Sequence, residues 1–298
     1  MYPSRHGTPD SARSLPPDSP SVITSRDNRW LKLFRAALRG SSPGADGRIG
    51  IEGPHLLEEA LRSGLKLDAV LVSPAGEKHR QRLWPGASSN HPGRPDRPRF
   101  LRTTDAVFAA VAGTETPQGI AALARPRNWA FEDLLRGDVP LVVVLSAVQD
   151  PGNVGTILRS SEAFGATGAV VTRGTAHPLA PKTLRASAGS ALRLPIVSGP
   201  AAPVVMAQLR VSGLKIFAAA STSAPNTSPV MPAEADLRGP LALFIGNEGA
   251  GLPPEVSHSA DCLLRVPLTP EVDSLNAAVA ASVLLYEAAR QRGTGSSG

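Results

Sequence analysis

Leu141-Val142-Val143-Val144-Leu145-Ser146-Ala147 leads through Val148-Gln149-Asp150-Pro151-Gly152 into Asn153-Val154-Gly155-Thr156-Ile157-Leu158-Arg159. The first segment is the nearly unbroken apolar run of a strand buried on both faces. A helix is expected over 153–164, with Asp150 or Asn153 near its cap. The same change of period recurs to the end of the chain. Strands are expected over 169–172, 195–197, 215–220, 241–245 and 263–267. Helices are expected over 181–191, 201–211, 254–257 and 273–292. Such alternation argues for an α/β domain with a mostly parallel sheet and helices on both faces.

Upstream the pattern is different. Residues 1–24 carry Pro3, Pro9, Pro16, Pro17 and Pro20 among Ser and charged residues, and read as a disordered tail. A helix over 28–39 sets Trp30, Leu31, Phe34 and Leu38 against Arg29, Lys32, Arg35 and Arg39 on the other side. A strand over 49–52, a helix from Pro54 to about 63 and a strand over 67–72 follow. Further elements run over 104–112 and 119–124, and 85–98 reads as a loop rich in Pro, Gly, Asn and Arg. The expected organisation is a tail (1–24), a small α/β domain (25–125), a linker (126–139) with a short helix at 131–135, the parallel-sheet domain (140–293) and a flexible tail (294–298).

At 298 residues the chain has room for two domains, and its 42% hydrophobic share is that of a soluble protein. One cysteine, Cys262, excludes an intrachain disulfide, and its apolar neighbours read as those of a buried structural thiol. Six scattered His offer no metal-ligand spacing. No apolar stretch is long enough for a membrane span, and the N-terminus lacks the apolar core of a signal peptide. A cytoplasmic protein is the simplest reading. Residues 1–130 hold 19 Lys or Arg against 12 Asp or Glu, whereas 131–298 hold 12 against 13. A basic first half beside a near-neutral second half points to a polyanion docking on the first. A solvated basic loop in an Arg-rich chain is the bland alternative.

Three strand ends carry polar motifs. They are Asn153 through Arg159; Gly246-Asn247-Glu248-Gly249-Ala250-Gly251; and Val266-Pro267-Leu268 followed by Ser274-Leu275-Asn276. The chain has seven Asn, and Asn153, Asn247 and Asn276 are three of them. The carboxyl ends of strands are where open α/β sheets bind ligands. The turn after 141–147 lacks the second glycine of a dinucleotide fingerprint, and no phosphate loop is present. Each motif also has a plain explanation: a left-handed turn at Gly246 to Gly251, an Arg159–Glu162 ion pair one turn apart, or a helix cap at Ser274 or Asn276. Their joint order is more specific than any one of them.

At these three segments the sequence resembles the SpoU/TrmH family of the SPOUT superfamily, RNA ribose 2′-O-methyltransferases that use S-adenosylmethionine. The resemblance spans roughly 141–292 and includes the ending Leu285-Tyr286-Glu287-Ala288-Ala289-Arg290-Gln291-Arg292. A weaker one, at Glu52-Gly53-Pro54 and the helix after it, is to the ribosomal-protein-like RNA-binding domain that often precedes such a catalytic domain. The resemblance implies a C-terminal trefoil knot and a homodimer with active sites at its interface. It implies cofactor contacts at Gly246, Val266 and Leu275, with Asn247, Gly251, Leu268 and Ser274 beside them and the turn at Ala220 and Ser221 as a further wall. Asn153, Arg159, Glu248, Ser274 and Asn276 take the catalytic positions. The chain departs from the family pattern at Pro270 and Ala278. A neutral Arg159 acting as base would cost about 1.36 kcal/mol for each of roughly five pKa units, so a charged donor to the developing alkoxide is the preferred role. Phosphates of structured RNA, ribosomal RNA first, would be gripped by Arg29, Lys32, Arg35, Arg39, Lys78, Arg80, Arg82, Arg94, Arg97 and Arg99. Rival expectations are a transfer-RNA 2′-O-methyltransferase, a non-catalytic RNA-binding or ribosome-assembly factor, and an unrelated α/β enzyme acting on a small nucleotide.

Overall fold

The computed structural model describes residues 22–85, 98–220 and 228–293. The first part contains α1 (Arg29–Arg39), β1 (Ile49–Glu52), α2 (Pro54–Arg62), β2 (Leu67–Val72), α3 (Glu77–Leu83), β3 (Arg99–Arg102), α4 (Asp105–Val111) and β4 (Ile120–Ala124). Its sheet has the order β1-β4-β2-β3, with β2 and β3 parallel and the other pairs antiparallel. The second part contains β5 (Leu141–Leu145), α5 (Pro151–Ala163), β6 (Gly168–Val171), α6 (Pro181–Ala186), α7 (Ser190–Arg193), β7 (Ile196–Ser198), α8 (Ala202–Val211), β8 (Lys215–Ala219), β9 (Leu241–Ile245), α9 (Pro254–Ser259), β10 (Cys262–Leu264) and α10 (Ala277–Arg292). Its six strands are all parallel, in the order β10-β8-β9-β5-β6-β7.

Alternate residues of β5 feed two different cores, as the strand's period of two requires. Leu141, Val143 and Leu145 join the layer of α5 and α10. Val142 and Val144 join the layer of α8 and α9 with Val205, Leu209 and Val256. The first of these cores also takes in Ile49, Ile51, Leu57, Val70 and Ile120 of the first part. One apolar cluster therefore runs through both domains. Polar clamps reinforce it: Arg193 donates to Glu162 at 2.6 and 2.8 Å and to Glu59 of α2. The expected Arg159–Glu162 pair is thus replaced, because Glu162 turns to Arg193.

Several expected elements are corrected. Helix α5 begins at Pro151, because Asp150 caps it by accepting from the Asn153 amide at 2.9 Å and Pro suits the first helical position. The expected helix over 181–191 is two short ones, since Ala188 and Gly189 adopt φ of 48° and 87° and end the first. Helix α10 starts after Asn276, not at Asp273, and β10 stops at Leu264. The strand Arg99–Arg102 and the helix Glu77–Leu83 lie in a charged region whose pattern did not reveal them. Cys262 is half-buried, and burial, with Asp261 nearby, pushes its thiol pKa up.

The C-terminal motif anchors α10. Arg292 donates to the carbonyls of Leu237, Gly239 and Val139. Gln291 accepts from the Leu237 amide at 2.9 Å and donates to Ala235 at 3.1 Å. At the other end, α5 lies tight against α6. A Cβ on Gly155 would fall 2.5 Å from the Ala186 Cβ and 2.6 Å from the Thr183 carbonyl oxygen. Gly-to-Ala changes within helices normally stabilise by about 1 kcal/mol. Here Gly155→Ala is expected to destabilise by about 1–3 kcal/mol through overpacking, read as a lower thermal unfolding midpoint. A raised midpoint would refute that close fit.

Candidate active site

Strands β5 and β9 are adjacent and parallel, so their carboxyl ends lie side by side. The turn after β9 is closed by Asn247 and Gly251, which exchange backbone hydrogen bonds of 2.9 and 3.0 Å. Asn247 Oδ1 accepts from the amides of Gly249 and Ala250, both at 2.9 Å. Its Nδ2 donates to the Ala147 carbonyl at 2.9 Å, beyond the end of β5. Ala147 has φ of 57°, a left-handed conformation that costs a residue with a Cβ. Gly246 admits no side chain, since a Cβ there would stand 2.4 Å from the Gly251 carbonyl carbon. Asn247 is therefore the brace of the loop.

A second chain of side chains ties three loops together. Asn276 Oδ1 accepts from the amides of Ala278 and Val279 at 2.9 and 3.3 Å and caps α10. Its Nδ2 must then donate, and it does so to Asn153 Oδ1 at 3.0 Å. Asn153 Nδ2 is left to donate to Glu248 Oε1 at 2.8 Å. The backbone cap thus sets the orientation of both amides and leaves the carboxylate as the terminal acceptor. Burial raises the Glu248 pKa, but the Asn153 amide and the backbone amides of Gln149 and Asp150 outweigh it, so the net shift is downward.

Beside this bracket lies a cleft of about 510 Å³. It is walled by the end of β8 at Ala220, by Gly246, by Val266 and Leu268 after β10, and by Ser274 and Leu275 before α10. Asn247, Glu248 and Gly251 also face it, as do Arg265, Val272 and Asp273, which sequence reasoning missed. Ser274 is exposed and caps nothing; Asn276 does the capping. Ser221 lies outside the described residues. Arg159 does not join the bracket: six helical residues turn it about 240° from Asn153, and it is exposed with no partner among the described residues.

The expected basic grip is uneven. Arg29, Lys32, Arg39, Lys78 and Arg82 are exposed, and Arg35 is half-buried. Arg80 is corrected to a packing residue: it is 8% exposed, held by Glu77 at 2.6 Å and placed over the Phe100 ring. Arg99 is half-buried with its guanidinium over the Trp30 ring. Arg94 and Arg97 lie outside the described residues. Among the described residues, no group of three or more His, Cys, Asp or Glu is placed to hold a metal ion.

Residues 140–286 match the model of the SpoU rRNA Methylase family, and residues 44–122 match the MRM3-like substrate binding domain. The 23S rRNA (guanosine(2553)-2'-O)-methyltransferase RlmP of Bacillus subtilis is 35% identical over 236 residues, which are 79% of this chain and 86% of RlmP. The chain belongs to the SpoU rRNA methylase family. Among solved structures, the SpoU methyltransferase AviRb from Streptomyces viridochromogenes in complex with the cofactor AdoMet is similar at TM-score 0.75 and 25% identity, over 90% of this chain and 99% of that one. An AdoMet-bound rRNA methyltransferase from Sinorhizobium meliloti is similar at TM-score 0.75 and 27% identity, over 91% and 97%. These likenesses extend over both domains.

The depressed Glu248 pKa has a definite sign. Its contribution to stability is fully present above the unfolded carboxylate value of about 4.3 and is lost as pH falls through the lower folded value. Asn153→Ala removes the largest lowering contact, so the Glu248 titration midpoint, followed by carboxyl carbon NMR, should rise. An unmoved midpoint would show that the bracket does not hold the carboxylate.

Proposed function

We propose that this chain is a cytoplasmic methyltransferase that modifies a ribose 2′-hydroxyl of ribosomal RNA with S-adenosylmethionine as donor. The observation that carries the reading is the Glu248–Asn153–Asn276 bracket set directly against the cleft. That cleft, about 510 Å³, is of small-ligand size. Its apolar Val266, Leu268 and Leu275 suit the faces of an adenine, and the main chain of the glycine turn supplies polar edges. Glu248 and Asp273 give it two acids against the single cation Arg265, which favours a sulfonium. Gly246, Val266 and Leu275 would hold the cofactor, with Ala220 and Ser221 as a further wall. The cofactor supplies an electrophilic methyl group.

The chain's own residues must then orient and activate a hydroxyl. A carboxylate with a lowered pKa is a weak base, so Glu248 orients the substrate through Asn153 instead of taking its proton. Arg159 stays charged and donates to the oxygen as negative charge develops, while the hydroxyl proton passes to solvent water. Arg159 stands away from its own bracket. A homodimer would bring it to the bracket of a second copy. Support for that interface comes from Val279, Val283 and Tyr286, exposed at 49%, 38% and 55% along one stripe of α10. Such a stripe on a helix that also packs on α5 fits a partner copy. The reading includes a trefoil knot in the loops around 246–251 and 265–276, as the SPOUT resemblance implies. No helix among the described residues is long and apolar enough to cross a membrane.

Incubation with methyl-labelled S-adenosylmethionine and unmodified ribosomal and transfer RNA tests the reaction. Label in alkali-resistant dinucleotides from ribosomal RNA is expected; label in mononucleotides would mean base methylation. Label from transfer RNA alone would transfer the assignment to that substrate. Arg159→Ala should lower kcat by about 100-fold or more, and Arg159→Lys should restore only part. Near-normal turnover in Arg159→Lys would argue against the planar fork. Val283→Glu should yield monomers in sedimentation and abolish turnover.

A further inference from the structure

A second cleft, of about 310 Å³, is built from both domains. Gly53, His55, Thr116 and Gln118 line it from the first, Arg185 and Ala188 from the second. The acid at its edge is already occupied. Glu52, 7% exposed, accepts from the Gly113 amide at 2.7 Å and from the Thr114 hydroxyl. The other polar side chains are not. Arg185 is exposed. Neither it nor the side chains of His55, Thr116 and Gln118 form a hydrogen bond or ion pair with any described residue. One unpaired guanidinium and three neutral hydrogen-bonding groups therefore meet in a preformed space.

The cleft lies close to the bracket along α6. Arg185 lies on α6, one turn after Lys182, so the two share a face. Lys182 Nζ stands 3.6 Å from Asp150. Asp150 in turn caps α5 at the Asn153 amide. The rise between Lys182 and Arg185 is only about 4.5 Å. Helix α6 stops just before the left-handed Ala188, which itself lines the cleft. The contact of α5 with α6 at Gly155 leaves no room for either helix to slide.

We propose that this cleft is a nucleotide subsite for the RNA substrate, taking one unstacked nucleotide a few positions from the methylated ribose. Arg185 binds its phosphate, and Thr116, Gln118 and His55 bind the edge of its base. The inference rests on the RNA-methyltransferase reading above. RNA sequence is read chiefly on bases splayed from the stack, and a base edge is neutral, which suits neutral partners. A planar guanidinium suits a phosphate.

The test uses the full chain and an unmodified transcript of large-subunit ribosomal RNA. RNA affinity is measured by filter binding across a salt series, alongside methyl transfer and the thermal shift given by S-adenosylmethionine. Arg185→Ala should weaken RNA binding about tenfold and flatten the slope of log affinity against log salt by about 0.7. The cofactor shift, and kcat at saturating RNA, should stay within about twofold of wild type. Arg185→Lys should recover the slope. The double variant Thr116→Val with Gln118→Leu should raise KM for RNA and leave the slope alone, which a merely structural lesion would not do. It also carries the test should Arg185→Ala fail to fold. Wild-type affinity and slope in Arg185→Ala, with methylation intact, would overturn the subsite and leave the proposed function standing. Loss of both in Arg185→Ala, from a wild type that methylates no RNA, would keep the subsite and overturn the proposed function.

Discussion

The parallel pairing of β5 with β9, from Leu141 against Leu241 to Leu145 against Ile245, is the constraint on which the rest depends. Local sequence does not bring these strands together; Asn247 reaches back a hundred residues to the Ala147 carbonyl. Closing so long a loop costs entropy, and burial of both faces of both strands offsets it. Parallel strands end at the same edge. The polar turns that follow them are thereby forced into contact, and the start of α10 is drawn in by its packing on α5. A pairing shifted by one residue would turn every side chain of the strand to the other layer and separate Asn153 from Glu248.

The bracket built on that edge is directional. Its polarity originates in two backbone amides at the start of α10 and passes through two Asn side chains to one carboxylate. Neither Asn can flip without breaking a cap or facing its carbonyl to an acid. A network so determined orients a neighbouring hydroxyl well and accepts protons poorly. The positive charge that such chemistry also needs is held apart, on the exposed side of α5. Fixed orientation and positive charge thus lie on separate parts of the second domain.

Much of this was legible in the sequence, for physical reasons. Short apolar runs rich in Val, such as Leu141–Leu145, read as doubly buried strands, and the polar motifs fall where those strands stop. The helix after that strand was legible too, though its start was expected at Asn153 and lies at Pro151, after the Asp150 cap. The order of the strands is another matter, because alternation does not say that β9 inserts between β8 and β5. The break at Ala188 and Gly189 lies in a run of small residues, where a single Gly is a weak stop signal. Arg80 and Arg193 looked like any other surface cation, and only the fold shows one over Phe100 and the other clamped between Glu59 and Glu162. Charge counted along a chain does not report which guanidinium groups face solvent.

The apolar cluster shared by the two domains has a geometric consequence. Separate domains on a flexible linker would sample many separations, and a long ligand could meet each at its leisure. Here the interval between the basic surface of α1 and the bracket is a constant of the molecule, kept by Ile51, Leu57 and Leu184 in one core and by Arg193 across the seam. A polymer that touched both ends would be measured against that interval. A polymer bound at both ends would be gauged as by a caliper, with the position reached set by distance from a landmark as much as by the identity of what lies there.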